Sequence, residues 1–288
     1  MSDINLSGAT RTNLLALQRT TDLIARTQER LSTGLKVNSA IDDAIAYFQA
    51  KSLTDRAGDL AVLKDDIDQG VSSVETATQG LQSIVDLVEQ MKGIALSAKS
   101  DADTGNRSKA AMQFNDLRSQ LDNLANDASY KGTNLIKGSP ANLKVTFSED
   151  GSSTLTISGV ASDSSGLSVI AAAGNWGVDA NIDSAINDLD SALTTLRSTA
   201  QTMGSNASVL SLRLDFTTNL INSLEEGSAK LVNADLNEES ANLLTLQTRQ
   251  QLGTIGLSIA QQSDNLFKPI VGSGLALVFV GKIGPSAT

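Results

Sequence analysis

Residues 60–98 read LAVLKDDIDQGVSSVETATQGLQSIVDLVEQMKGIALSA, and one row through them decides the fold. Leu60, Leu63, Ile67, Gly70, Val74, Ala77, Leu81, Ile84, Val88, Met91, Ala95 and Ala98 follow one another at steps that alternate 3 and 4. Every member is apolar or glycine. This is the 3.5-residue period of helices wound in a left-handed coil. An ordinary amphipathic helix ends after about 8–20 residues, whereas this row runs on without a break.

Working outward, a second row of the same kind runs Ile182, Ile186, Leu189, Leu193, Leu196, Ala200, Met203, Ala207, Leu210, Leu214, Thr217, Ile221, Leu224, Ser228, Leu231. A shorter one, Ala110, Phe114, Leu117, Leu121, Leu124, Ala128, lies between them. Near the N-terminus Leu14, Leu17, Thr21, Ile24, Gln28 and Leu31 form a stripe that two polar residues interrupt, so this helix alone is marginal. Seams of Ala and Gly let helix axes approach closely, at some cost in helix propensity.

Turn chemistry places the boundaries. Gly34 stops the first helix. Ser39-Ala40-Ile41-Asp42 resembles a capping box with Ser39 as the cap of the second helix, and Asp42 and Asp43 suit its positive end. Asp103-Thr104-Gly105-Asn106 separates the second and third helices. The stretch begins like a calcium loop at Asp101, but Gly105 and Met112 occupy positions that require oxygen ligands, so no metal site is expected. From Gly132 to Gly177 the period changes. Leu143–Phe147 and Thr154–Ser158 alternate as strands around Glu149-Asp150-Gly151, a hairpin turn signal, with a third short strand expected near Leu167–Ile170. The fold class expected is mainly α: an elongated antiparallel helical bundle or coiled-coil rod with a small β-hairpin insert.

The composition is poor in catalytic chemistry. The 288 residues contain no Cys and no His, and 22 Lys+Arg stand against 32 Asp+Glu, a formal charge of −10. Missing Cys excludes disulfides and thiolate metal sites. Missing His excludes the Ser-His-Asp triad and the HExxH zinc site. The acidic balance argues against a nucleic-acid partner. Aromatic residues make up only 3% of the chain, so few large interface anchors are available. No window holds the roughly 20 apolar residues of a membrane span, and no cleavable secretory signal is expected from the first residues, which lack a basic patch followed by an apolar run. No enzyme activity, cofactor or metal is expected; the composition suits a structural or interaction protein.

The ends of the chain closely resemble the bacterial flagellins. The match runs through Asn13-Leu14-Leu15-Ala16-Leu17-Gln18-Arg19-Thr20 and then Gln28-Glu29-Arg30-Leu31-Ser32-Thr33-Gly34-Leu35-Lys36-Val37-Asn38-Ser39-Ala40-Ile41-Asp42-Asp43-Ala44. It continues in Tyr130-Lys131-Gly132-Thr133-Asn134-Leu135-Ile136, Asp235-Leu236-Asn237-Glu238-Glu239-Ser240-Ala241-Asn242 and Gln250-Gln251-Leu252-Gly253. The resemblance covers roughly residues 1–266. It implies a subunit that polymerises into the extracellular flagellar filament for swimming motility. A hook–filament junction protein with the same terminal helices is the alternative.

The resemblance further implies paired terminal helices, residues 1–43 and 235–288, that form the inner tube called D0. Residues 44–234 then form the D1 rod, with the hairpin insert at about 138–178 and no large outer domain. Inner-tube contacts are expected at Leu14, Leu17, Ile24 and Leu31, with Ile255 and Ile259 as their C-terminal partners. The weakly amphipathic ends are expected to order only on assembly. Implied partners are other copies of the chain, hook-associated and cap proteins, and an export chaperone at the C-terminal segment; no nucleic acid or membrane is implied. Export proceeds unfolded through the flagellar type III apparatus, without a cleaved signal.

In one subset of the family an Arg, and a Glu three residues later, activate an innate immune receptor. Gln90 and Gly93 stand at those positions, so weak activation is expected. Ser152, Ser153, Ser162, Ser164 and Ser165 lie in the insert, which is expected to be exposed and able to carry O-linked sugars. The end departs from the family. Pro269 is expected to close the last helix, and the apolar stretch Leu275–Val280 replaces the brief leucine-rich close of other members.

Overall fold

The computed structural model describes residues 8–272. In chain order they form α1 (Gly8–Thr33), α2 (Ala44–Ser100), α3 (Thr104–Asp127), β1 (Leu143–Thr146), β2 (Thr154–Ile157), a 3-10 turn (Ala173–Trp176), α4 (Asp179–Val232) and α5 (Leu236–Gly272). The chain divides into two units. The terminal unit holds residues up to Ala50 and from Ala229 on, and the central unit holds Lys51–Ser228.

In the central unit the long heptad row of α2 is the core. Eleven of its twelve residues are buried and Leu63 is half-buried. The row of α4 has no exposed member, and Phe114 and Leu121 of α3 join the same cluster. The period therefore translates directly into burial, which supplies most of the stability of helices this long. Trp176 closes one region of the core, fully buried with its ring 5.1 Å from that of Phe114. Salt bridges run from α2 to α4, Lys92 to Asp190, Lys99 to Asp183 and Glu89 to Arg197. Their register is antiparallel.

The hairpin forms where alternation indicates it. Leu143 pairs with Ile157 and Thr146 with Thr154, and Val145 and Ile157 turn into the core. It lies against α2 at Gly70, where an added Cβ would stand 2.8 Å from Val145 Cγ2. Glu149 at the turn accepts from Arg56 Nε at 2.8 Å, and that guanidinium holds its carboxyl below the usual range. The Ser148 hydroxyl, followed by the Ser152 N–H and hydroxyl, lowers Asp150 to about 2.

The expected third strand is absent among the described residues. Leu167 and Val169 are buried, but Ser168 between them has φ +58°, a left-handed conformation that a strand cannot hold. The segment is tied to α3 through side chains instead of a ladder. Arg118 Nε donates to the Val169 carbonyl at 2.9 Å. The Asp122 carboxylate accepts from Ser164 N–H at 2.7 Å and from its hydroxyl at 3.0 Å. Asn115 Oδ1 accepts from Ala172 N–H at 3.0 Å. Asp101 and Asp103 likewise serve local structure: Asp103 caps α3 by accepting from Gly105 and Asn106 N–H, and Asp101 accepts from Asp103 N–H and the Asn106 amide.

In the terminal unit α1 ends at Gly34, whose φ of +72° needs no Cβ and whose N–H donates to the Arg30 carbonyl at 2.8 Å. The chain leaving it pairs with the chain entering α5. Ala234 N–H donates to Gly34 O at 2.8 Å and Lys36 N–H to Val232 O at 2.7 Å. Asp235 opens α5, its carboxylate accepting from the N–H groups of Asn237 and Glu238.

Three local expectations are corrected. Ser39 does not cap α2; the Asp42 carboxylate accepts from Ser39 N–H and hydroxyl and closes a separate turn. The helix opens at Ala44 with Asp43 accepting from Ala46 N–H at 3.0 Å. The polar interruptions of α1 are Thr20 and Thr27 on its inner side, while Thr21 and Gln28 are exposed. Pro269 does not end α5, whose backbone stays helical to Gly272. A proline removes one backbone donor, and here the helix runs past it. The apolar run Leu275–Val280 lies outside the described residues.

Candidate assembly interface

The terminal unit pairs α1 with α5 side by side and antiparallel. On α1, Leu17, Thr20, Ile24, Thr27 and Leu31 turn inward. On α5 the inner positions are Glu239, Leu243, Leu246, Gln250 and Gly253, again at steps of 4 and 3. Small residues set the spacing: a Cβ at Gly253 would stand 3.2 Å from Leu17 Cδ1. Arg30 Nη1 meets Glu239 Oε1 at 2.8 Å, with the Glu239 side chain only 10% exposed. A carboxylate this buried is costly without a partner, so the pair fixes the register of α1 on α5.

The opposite face of α5 is apolar as well. Leu244, Leu252, Ile255 and Ile259 are all exposed, Ile255 at 55% and Ile259 at 62%. At 100° per residue they share an arc of about 80°. Ile255 and Ile259 therefore do not partner Leu17, Ile24 and Leu31 within the chain, contrary to expectation. The α5 inner row takes that place. On α1, Leu14 is exposed at 38%, and Leu15 and Leu23 are exposed as well, the three spread over about 180° of the helix circumference. Sequence reading missed Leu15, Leu23, Leu244 and Leu252; the signal was a second apolar row on α5, out of phase with the first. An exposed apolar row on α5, whose other face is already filled, together with scattered exposed leucines on α1, is the pattern of an interaction surface.

Charge is distributed unevenly. The terminal unit carries nine Lys+Arg and nine Asp+Glu, whereas the central unit carries 13 against 23. The whole formal charge of −10 thus belongs to the central unit. Within the terminal unit, Ser39 N–H and then the Ser39 hydroxyl hold the Asp42 carboxyl below its ordinary range.

The remaining singled-out residues lie in the central unit. Gln90 and Gly93 are exposed on one face of α2, beside a shallow groove that Lys92, Leu96, Asp190 and Arg197 also line. Of the five serines, Ser152 and Ser165 are exposed, Ser153 is half-buried, and Ser162 and Ser164 are buried. The insert is therefore not uniformly exposed: Ser162 Oγ donates to the Val160 carbonyl and Ser164 Oγ to Asp122. Among the described residues no group of three or more acidic side chains is placed to hold a metal ion, and no helix is long and apolar enough to cross a membrane.

Comparison with known proteins agrees with this architecture. The family description "Bacterial flagellin N-terminal helical region" matches residues 4–141, and "Bacterial flagellin C-terminal helical region" matches residues 182–268. Flagellin FljM of Caulobacter vibrioides is 32% identical over 276 residues, covering 92% of this chain and 97% of that protein. A flagellin of Brucella melitensis is 30% identical over 274 residues, with the same coverage. A solved structure from Vibrio parahaemolyticus, titled as a flagellar hook-associated protein, covers 67% of this chain and all of its own at a TM-score of 0.56 and 15% identity. That likeness is one of fold alone. Seams, hairpin, chain length and relatives agree: the chain belongs to the bacterial flagellin family, the structural subunits of the flagellar filament.

Proposed function

We propose that the terminal unit is the device by which copies of this chain join, and that it forms the inner tube of the filament while the central unit forms the shell around it. The observation that carries this reading is the doubly apolar α5. One face is filled by α1, and the other exposes Leu244, Leu252, Ile255 and Ile259. Leu17, Ile24 and Leu31 hold the helix pair, and Leu14, Ile255 and Ile259 meet neighbouring copies. Contacts between identical translated subunits are heterologous and propagate as a helical polymer. The hook-associated alternative is not favoured, because the relatives that match along 92% of the chain are flagellins.

Export as an unfolded chain, an extracellular working place, a chaperone at the C-terminal segment, and hook-associated and cap proteins as end contacts belong to this reading through the family. Replacing Leu17 by Asp tests the division of labour. A charge in the α1–α5 seam is expected to abolish pelletable polymer while most helical circular dichroism survives, because the heptad seams of α2 and α4 stand without it. Loss of helix signal across the whole chain contradicts the division.

A further inference from the structure

A groove of about 300 Å³ runs along the junction of α1 and α5. Arg26, Thr27, Arg30, Glu239, Asn242 and Arg249 are among its lining residues. Three guanidinium groups thus share one groove with one buried carboxylate, and that carboxylate is taken: Glu239 is paired with Arg30. Neither Arg26 nor Arg249 makes an ion pair or a hydrogen bond among the described residues. Asp42 feels Arg26 only at longer range.

The hydroxyl between them is also unused. Thr20, Thr21 and Thr33 of α1 donate to the carbonyl four residues back at 2.9–3.0 Å, the ordinary way for a helix threonine to satisfy its hydroxyl. Thr27 is only 6% exposed and makes no such bond. Two free guanidinium forks and the unbonded hydroxyl of a largely buried threonine on one groove are the donor set of an oxyanion seat.

We propose that this groove is an intersubunit seat in which Arg26 and Arg249 receive a carboxylate from the terminal unit of a second copy of this chain. The inference rests on the polymerisation reading above and names one of its contacts. Among the described carboxylates of the terminal unit, Asp22 and Glu238 are the two exposed ones whose side chains make no hydrogen bond or ion pair. Asp22 stands one turn before Arg26 and still does not pair with it. The other described carboxylates are engaged: Asp235 and Asp43 as caps, Asp42 in its turn, Glu29 with Asn38, Glu239 with Arg30. In a heterologous contact the seat of one copy meets a different surface of the next, which lets unengaged cations and unengaged anions of the same unit meet between copies. The planar fork of arginine suits a carboxylate in two-pronged geometry. The zero net charge of the unit lets copies approach without the long-range repulsion that a net charge would bring.

The test uses the full chain in four forms, read by sedimentation of polymer and by circular dichroism. Arg26→Glu with Arg249→Glu is expected to raise the critical concentration at least about tenfold, the effect of about 1.4 kcal/mol per contact. Adding Asp22→Lys and Glu238→Lys to that chain reverses both sides and is expected to restore polymer. The neutral pair Arg26→Gln with Arg249→Gln, which tolerates a helix better than reversal, is expected to raise the critical concentration about fivefold. Unchanged polymerisation of either arginine variant overturns the seat. So does a four-fold variant that keeps its helix but stays as defective as the arginine pair, the result expected if the groove takes a free inorganic anion. A native chain that forms no polymer at all overturns the filament reading itself, which separates the two failures.

Discussion

Asp122 spends both carboxylate oxygens on Ser164, one on its N–H and one on its hydroxyl. A sugar on Ser164 would break the hydroxyl bond and need space the buried side chain does not have, and Ser162 is held in the same way. O-linked sugars, where present, are therefore expected on Ser152 or Ser165, and intact-mass analysis with site mapping that finds them on Ser162 or Ser164 contradicts the placement. A second residue-scale expectation concerns Gln90 and Gly93, which share an exposed face of α2. Through the family resemblance the native chain is expected to activate the innate receptor weakly. Gln90→Arg with Gly93→Glu is expected to raise a reporter-cell response about tenfold, a change of about 1.4 kcal/mol in binding. A native response equal to that of an enteric flagellin contradicts it.

Among elements, the glycines of α2 separate packing from propensity. Gly80 faces Ala128 and Ile136, each 2.8 Å from where a Cβ would stand. Gly58 faces open space. Alanine gains about 1 kcal/mol over glycine inside a helix, but forcing a methyl into a filled seam costs about 1–3 kcal/mol. Gly58→Ala is therefore expected to stabilise by up to about 1 kcal/mol and Gly80→Ala to destabilise by up to about 2 kcal/mol. Thermal unfolding of the two variants checks the sign; equal shifts in the same direction contradict the seam. The α2 and α4 seams were legible because a 3.5-residue period sustained over many turns leaves no second choice of face. In α1 the phase was not legible: Thr20 and Thr21, or Thr27 and Gln28, are equally polar. The decision lies on α5, where Gly253 opens room for Leu17. The segment after the hairpin was illegible for a different reason. Its shape is set by Asn115, Arg118 and Asp122 of α3, which lie about 50 residues earlier, and no local alternation records that.

For the whole molecule, the absent Cys and His and the few aromatics describe a chain whose interfaces are rows, not anchors. The candidate site was legible in kind, since the N-terminal stripe needs a partner and the C-terminal stretch supplies it. It was not legible in detail, because which face of α5 is spent on α1 depends on Glu239 and Gly253 and not on the larger Ile255 and Ile259. The charge split adds a physical constraint on assembly. The terminal units carry no net charge, while each central unit brings −10 that neighbours in a polymer must screen. The central claim is that this chain polymerises without end through its terminal unit. Electron microscopy of the purified full-length chain, held above its critical concentration and seeded with short fragments of its own polymer, tests this most directly. The account predicts long helical filaments that lengthen with time; discrete particles of fixed size that never elongate would contradict it.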